Sequence, residues 1–227
     1  MSDEFKHSEQ LVFFVDLLGL SDTVLASNDP ERVESLTRML SGFKEARGNF
    51  HIKEIKNLSE KLAMPAISTF SDNVLISFEI EKMADIRQAL WLARALISAL
   101  ALEALELGFL IRGGAAIAPL YHQDGVAVGK GLIEAYQLER SVARYPRIAV
   151  SRKLYDSPGA PFPEILTDDD GVKHFNYLPT TIGRDKNRRD AVCKYADQQI
   201  AQFERLEKWN EMSKWVWFRK HVEALQM

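Results

Sequence analysis

Runs and alternations of apolar residues divide the chain into a short series of elements. Residues 11–15, LVFFV, form an unbroken apolar run closed by Asp16 and followed by Gly19 and Ser21. This predicts a strand buried on both faces that ends in an acid and turns sharply towards a helix. Asp29 and Pro30 supply an N-cap and a first helical residue, so a helix is expected from about 30 to 46, ended by Gly48 and Asn49. Residues 52–62 mix Lys and Glu with isolated apolar positions and read as a short helix or an irregular crossover. Residues 66–70 and 74–78, separated by Ser71-Asp72-Asn73, read as a β-hairpin with an acid at its tip. From 83 to 107, Ile86, Leu90, Ala93, Ile97, Leu100 and Ala104 recur at helical spacing, and Gly108 follows as a C-cap.

A strand is expected from 109 to 117, then a second hairpin around Gln123-Asp124-Gly125, and a helix from 129 to 144 stopped by Tyr145-Pro146. Residues 148–150 read as a short strand, 157–172 as a surface excursion and 173–178 as a final strand. The tail from 190 to 225 has helical periodicity, and Trp209, Trp215, Trp217 and Phe218 are expected to pack on the body or on a second subunit. Without the extra hairpin, the order is the β-α-β-β-α-β of a ferredoxin-like α+β sheet. The expectation is one domain over residues 1–227, with a core at about 11–180 and a helical extension at about 190–225.

The composition, 46% hydrophobic and 27% charged with a formal charge of -3, is that of a globular protein and argues against a nucleic-acid partner, which calls for a basic surplus. The basic stretch 183–194 reads as a solvated loop entering a helix, or as a patch meeting a polyphosphate or partner. A single cysteine, Cys193, and the charged start MSDEFKHSEQ fit a cytoplasmic setting. Arg87, Arg94, Glu103 and Glu106 interrupt the most apolar segment, so no membrane span is expected. The five histidines show no short paired spacing, Cys193 is isolated and GxSxG is absent, so neither a zinc site nor a nucleophilic triad is expected.

Two acids stand out by position. In a ferredoxin-like sheet the end of the first strand comes close to the hairpin tip, which brings Asp16 towards Asp72. Two neighbouring carboxylates repel each other unless a divalent cation lies between them, and Mg²⁺ takes one or two carboxylates together with waters and phosphate oxygens. Gly19 and Ser21, between Asp16 and the next helix, suit a tight turn whose backbone N–H groups point at a phosphate chain.

Four motifs follow in order: FVDLLGLS at 14–21, TFSDNV at 69–74, IRGGA at 111–115, and the stretch from Gly129 through AYQLE at 135–139. Together they resemble class III nucleotide cyclases, and more narrowly the stand-alone bacterial pyrimidine cyclases of anti-phage defence. The resemblance covers about residues 11–150. It implies that Asp16 and Asp72 are metal ligands for two Mn²⁺ or Mg²⁺ ions, with the backbone carbonyl of Leu17 also reaching a metal. It further implies that Leu18, Gly19, Leu20 and Ser21 hold the triphosphate, and that a head-to-tail homodimer forms active sites where two domains meet.

Purine cyclases often place a base-reading Lys shortly before the second metal Asp; the position here is Ser68, which suits a smaller base. Ser68, Phe70 and Phe50 are therefore the candidate base-binding residues. The helix after Gly129 carries Ile133 and Gln137 where the family has a ribose-placing Asn and a transition-state Arg. Arg140, Arg144 or Arg112 is expected to supply the missing charge, with Arg140 first because it lies on the same helix. The expected activity converts a pyrimidine nucleoside triphosphate, UTP ahead of CTP, to the 3′,5′-cyclic monophosphate and pyrophosphate. The alternatives are a catalytically silent cyclase-like module that binds nucleotide or partner, and a palm-like or diguanylate-forming enzyme, for which a GGDEF-like hairpin is lacking.

Overall fold

In the computed structural model, which describes residues 7–20, 30–45, 64–183 and 185–225, the LVFFV run is the middle of strand β1 (Ser8–Leu18). Among the described residues the sheet has eight strands. β2 (Ala66–Phe70), β3 (Asn73–Glu79), β1, β4 (Leu110–Gln123), β6 (Ile148–Val150), β8 (Lys173–Phe175) and β7 (Ile165–Thr167) follow one another across it, and β5 (Val126–Gly129) pairs with β4. β1 is antiparallel to both β3 and β4, whereas β4 and β6 are parallel. The order β2-β3-β1-β4 is that of the expected β-α-β-β-α-β core.

An unbroken apolar strand needs cover on both faces, and β1 has it. Leu11, Phe13 and Val15 belong to the larger core with helices α1 (Pro30–Glu45) and α2 (Ile86–Glu106), while Val12 and Phe14 belong to a smaller core under α3 (Lys130–Ser141). The two glycines of IRGGA allow close approach on opposite faces of the sheet, Gly114 to α3 and Gly113 towards the larger core. A Cβ on Gly114 would lie 2.0 Å from the Ala135 carbonyl oxygen on α3, and one on Gly113 would lie 2.4 Å from the Phe14 carbonyl oxygen.

α2 begins at the Asp85 cap, whose carboxylate accepts from the Arg87 N–H, and its apolar stripe, including Leu90, Ile97 and Leu100, is fully buried. Burying each such side chain stabilises the fold by roughly 1.5–3 kcal/mol. The sequence expectation needs one correction here. By length and hydropathy α2 does reach the threshold of a membrane span; its apolar surface is instead taken up by the protein's own core.

Other elements differ from the pattern. β4 runs unbroken through Pro119, which stands opposite Glu9 on an exposed position, rather than ending at 117. The excursion at 157–172 contains β7, and the last strand stops at Phe175 before the short helix α5 (Leu178–Ile182). α4 (Arg152–Tyr155) follows β6. The tail is two helices, α6 (Lys186–Arg205) and α7 (Trp209–Glu223), broken at Glu207, whose φ is 55°. Trp215, Trp217 and Phe218 are buried on the body, whereas Trp209 is exposed. The crossover at 52–62 lies outside the described residues.

Candidate active site

Strand pairing brings the two chosen acids together. Asp16 lies opposite Asn73 on β3 and opposite Arg112 on β4, and the Leu17 N–H donates to the Asp72 carbonyl oxygen at 3.1 Å. Asp72 accepts a hydrogen bond from the Asn73 side chain at 2.9 Å. The Arg112 guanidinium stands between acids: one nitrogen is 3.1 Å from Asp16 Oδ2 and 2.5 Å from Glu139 Oε1. Glu139, on α3, was not singled out by the sequence reading. Its side chain is only 6% exposed, and burial raises its pKa against the pull of Arg112, with Asp16 and Asp72 adding to the rise. Asp16 is shifted the same way, by burial first; Arg112 opposes the shift, Asp72 adds to it, and Lys214 opposes it from a distance.

Asp16 and Glu139 therefore share one guanidinium, with Asp72 near enough to push both of their pKa values up, and Arg112 Nε is buried without a hydrogen-bond partner. This surplus of hard oxygen donors at the end of β1 fits Mg²⁺ or Mn²⁺. Asp16 and Asp72 bring carboxylate oxygens, and Leu17 a backbone carbonyl, to this end of β1, groups that could hold such an ion.

Leu18 and Leu20 are buried, and Gly19 has a φ of 91°, the left-handed turn for which glycine was expected. A cavity of about 530 Å³ opens beside this loop, lined by Leu18, Gly19 and Phe109 from the sheet end and by Lys208, Lys214 and Trp215 from the tail. Ser21 and Phe50 lie outside the described residues. Ser68 is buried, and its hydroxyl is engaged with His122 Nε2 at 2.8 Å, while His122 Nδ1 meets the Ser77 hydroxyl at 2.9 Å. Phe70 is exposed; its ring lies 6.0 Å from Phe14, which in turn meets Tyr136 edge-on at 5.6 Å. Arg140 faces away from the acids, on the exposed stripe of α3 that carries Ile133 and Tyr136, and donates to the Tyr136 hydroxyl at 3.2 Å.

A second cluster lies where the spacing of the histidines gave no sign of one. Asp168, His174 and His221 bring one ligand atom each to within 4.8 Å of one another, so this trio is able to coordinate a metal ion. The residues are six and 47 positions apart along the chain, so no local spacing could announce them. Burial holds the His174 pKa down at about 4. Burial alone would raise that of Asp168, but hydrogen bonds from the Trp217 indole, the Asp169 N–H and Arg147 outweigh it and hold it at about 2.

The sheet order, the helices on its two faces and the acids at the end of β1 define a class III adenylyl/guanylyl-cyclase-like fold. A class III adenylyl cyclase-like ATP-binding protein from Pseudomonas aeruginosa aligns with a TM-score of 0.50 at 16% identity, covering 78% of this chain and 40% of that one. The adenylyl cyclase CyaB from P. aeruginosa aligns over 75% of this chain and 93% of its own at 16% identity, with a TM-score of 0.47. An adenylate/guanylate cyclase/hydrolase from Silicibacter pomeroyi covers 75% and 98% at 17% identity, with a TM-score of 0.44. No protein-family model and no curated protein matches the sequence.

Proposed function

We propose that the protein is a nucleotide cyclase that converts a pyrimidine nucleoside triphosphate, UTP ahead of CTP, to the 3′,5′-cyclic monophosphate, and that it works as a cytoplasmic homodimer in anti-phage defence. The observation that carries this reading is the pairing of Asp16 with the Asp72 turn at the phosphate-loop end of β1, beside an Arg112 that also meets Glu139. The ribose 3′-oxygen attacks the α-phosphorus, and the bond to the β-phosphate oxygen breaks, releasing pyrophosphate and the 3′-hydroxyl proton. Two divalent ions, when bound, lower the proton affinity of the 3′-hydroxyl and neutralise charge on the leaving pyrophosphate.

The chain's own groups do the positioning. Asp16, Asp72 and the Leu17 carbonyl take the ions; Leu18, Gly19, Leu20 and Ser21 receive the β- and γ-phosphates, with Lys208 and Lys214 beside them. Arg112, beside Asp16, would supply positive charge to the phosphates when the acids hold metal. Phe70 offers the base a flat apolar surface, and Ser68 and Phe50 are the other residues proposed to bind it. Val126, Val128, Ile133 and Tyr136, all exposed apolar side chains on β5 and α3, form the dimer surface, and Arg140 on the same stripe reaches the partner's site.

A second reading is a silent module that binds nucleotide without turnover. It is favoured by the ion pairs that already occupy Asp16 and by Ile133 and Gln137 where the family carries Asn and Arg. Subunit mixing decides between the two. Asp16→Asn and Arg140→Ala homodimers are each inactive, and co-refolded mixtures regain part of the activity because one hybrid site is intact. Nucleotide binding with no cyclic product from any triphosphate would establish the silent module.

A further inference from the structure

We propose that Asp168, His174 and His221 form a structural site for a borderline transition-metal ion of the Zn²⁺ class, which clips the C-terminal helix α7 to the distal edge of the sheet. The proposal is independent of the cyclase reading, because none of these residues belongs to the acid cluster on β1.

The three ligands come from separate elements. Asp168 opens the β7–β8 turn, His174 lies within β8 and is 4% exposed, and His221 is in the last turn of α7. His221 Nε2 stands 3.4 Å from Asp168 Oδ1. That exceeds an ordinary N–H···O bond of roughly 2.9 Å. It equals the edge of a tetrahedron built on metal–ligand bonds of about 2.0–2.1 Å, which is roughly 3.4 Å.

The surrounding bonds already orient the donors. His221 Nδ1 meets the Trp217 carbonyl oxygen at 2.8 Å, where it donates, so Nε2 carries the free lone pair towards the cluster. Asp168 Oδ2 accepts from Arg147 at 2.6 Å and from the Trp217 indole at 2.7 Å, while Oδ1 accepts from the Asp169 N–H at 2.8 Å and keeps a second lone pair for the side of His221. The Trp217 and His221 rings stack at 3.7 Å, and the His174 ring meets both edge-on. Two imidazoles and one carboxylate select Zn²⁺, Co²⁺ or Ni²⁺ over Mg²⁺, and a water completes the tetrahedron on the partly exposed side of His221.

Full-length protein freed of metal and titrated with Co²⁺ is expected to bind one equivalent with the intense visible d–d absorption of a tetrahedral ion. One equivalent of Zn²⁺ should displace it, and millimolar Mg²⁺ should not. Zn²⁺ should raise the melting temperature of the wild type and leave His221→Gln, a substitution at a partly exposed helix end, where it was. Asp16→Asn should still bind Co²⁺, which separates this ion from any held at β1. His174→Ala is expected to lose the ion, and if it fails to fold, His221→Gln carries the test. No tetrahedral Co²⁺ spectrum, or a spectrum and stoichiometry unchanged in His221→Gln, would overturn the proposal.

Discussion

Replacing Gly114 by alanine places a methyl group where α3 already sits. The new Cβ would lie 2.0 Å from the Ala135 carbonyl oxygen and 2.7 Å from Leu138 Cβ, about 1.4 Å short of the 3.4 Å at which ordinary contact begins. Backbone blocks one side and the sheet the other, so the helix must retreat. Overpacking of this kind costs about 1–3 kcal/mol. For a domain of this size each kcal/mol shifts the melting temperature by roughly 2–4 °C, which predicts a fall of about 2–12 °C. Retreat of α3 also carries Glu139 away from Arg112, so cyclase activity should fall more than stability alone accounts for. Gly42→Ala is the control: its Cβ meets nothing within 4 Å in the last turn of α1, and alanine there should stabilise by up to about 1 kcal/mol. Thermal melts followed by circular dichroism compare the three proteins. A Gly114→Ala protein that melts with the wild type would refute the close approach of α3.

Burial lifts the pKa of Asp16 and of Glu139 in the folded chain, so their ionisation costs stability as pH rises above the unfolded values, and that cost is absent in acid. Asp16→Asn should therefore melt above the wild type at pH 7.5, with the gain vanishing towards pH 3.5, while cyclase activity is lost; Arg112 keeps Glu139 as its partner. Lys214→Gln should raise KM for the triphosphate roughly two- to fivefold, the strength of a solvent-screened charge contact, with kcat little changed in steady-state assays. Ile133→Asp on the exposed stripe of α3 should convert the dimer to monomers by light scattering and abolish activity without lowering the melting temperature.

The sheet was legible because the middle of its central strand, LVFFV, is an unbroken apolar run of strand length, as a strand with a core on each face requires; Leu11, Phe13 and Val15 face one core, Val12 and Phe14 the other. The pairing of Asp16 with the Asp72 turn followed from the order of strands. Glu139 escaped notice although it carried a signal, an acid on the buried stripe of α3 together with Gly131 and Ala135. Ser68 was read for its small size, but its hydroxyl is committed to His122, a partner 54 residues away that no local pattern reveals. The expected strand stopped at 117, yet β4 runs on through Pro119, which has no register partner in β5 or β6, so its missing N–H leaves no ladder bond broken on that side. The Asp168, His174 and His221 cluster is wholly tertiary: α7 has to fold back on β8 before it exists.

The central claim is that the acids at the end of β1 serve the cyclisation of a pyrimidine nucleotide. Purified wild-type protein and its Asp16→Asn and Asp72→Asn variants should be incubated with Mn²⁺ and each of ATP, GTP, CTP and UTP, and the products weighed by mass spectrometry. The account predicts 3′,5′-cyclic UMP as the main product of the wild type and none from either variant. A purine cyclic nucleotide as the main product, or product formation that survives both substitutions, would contradict it.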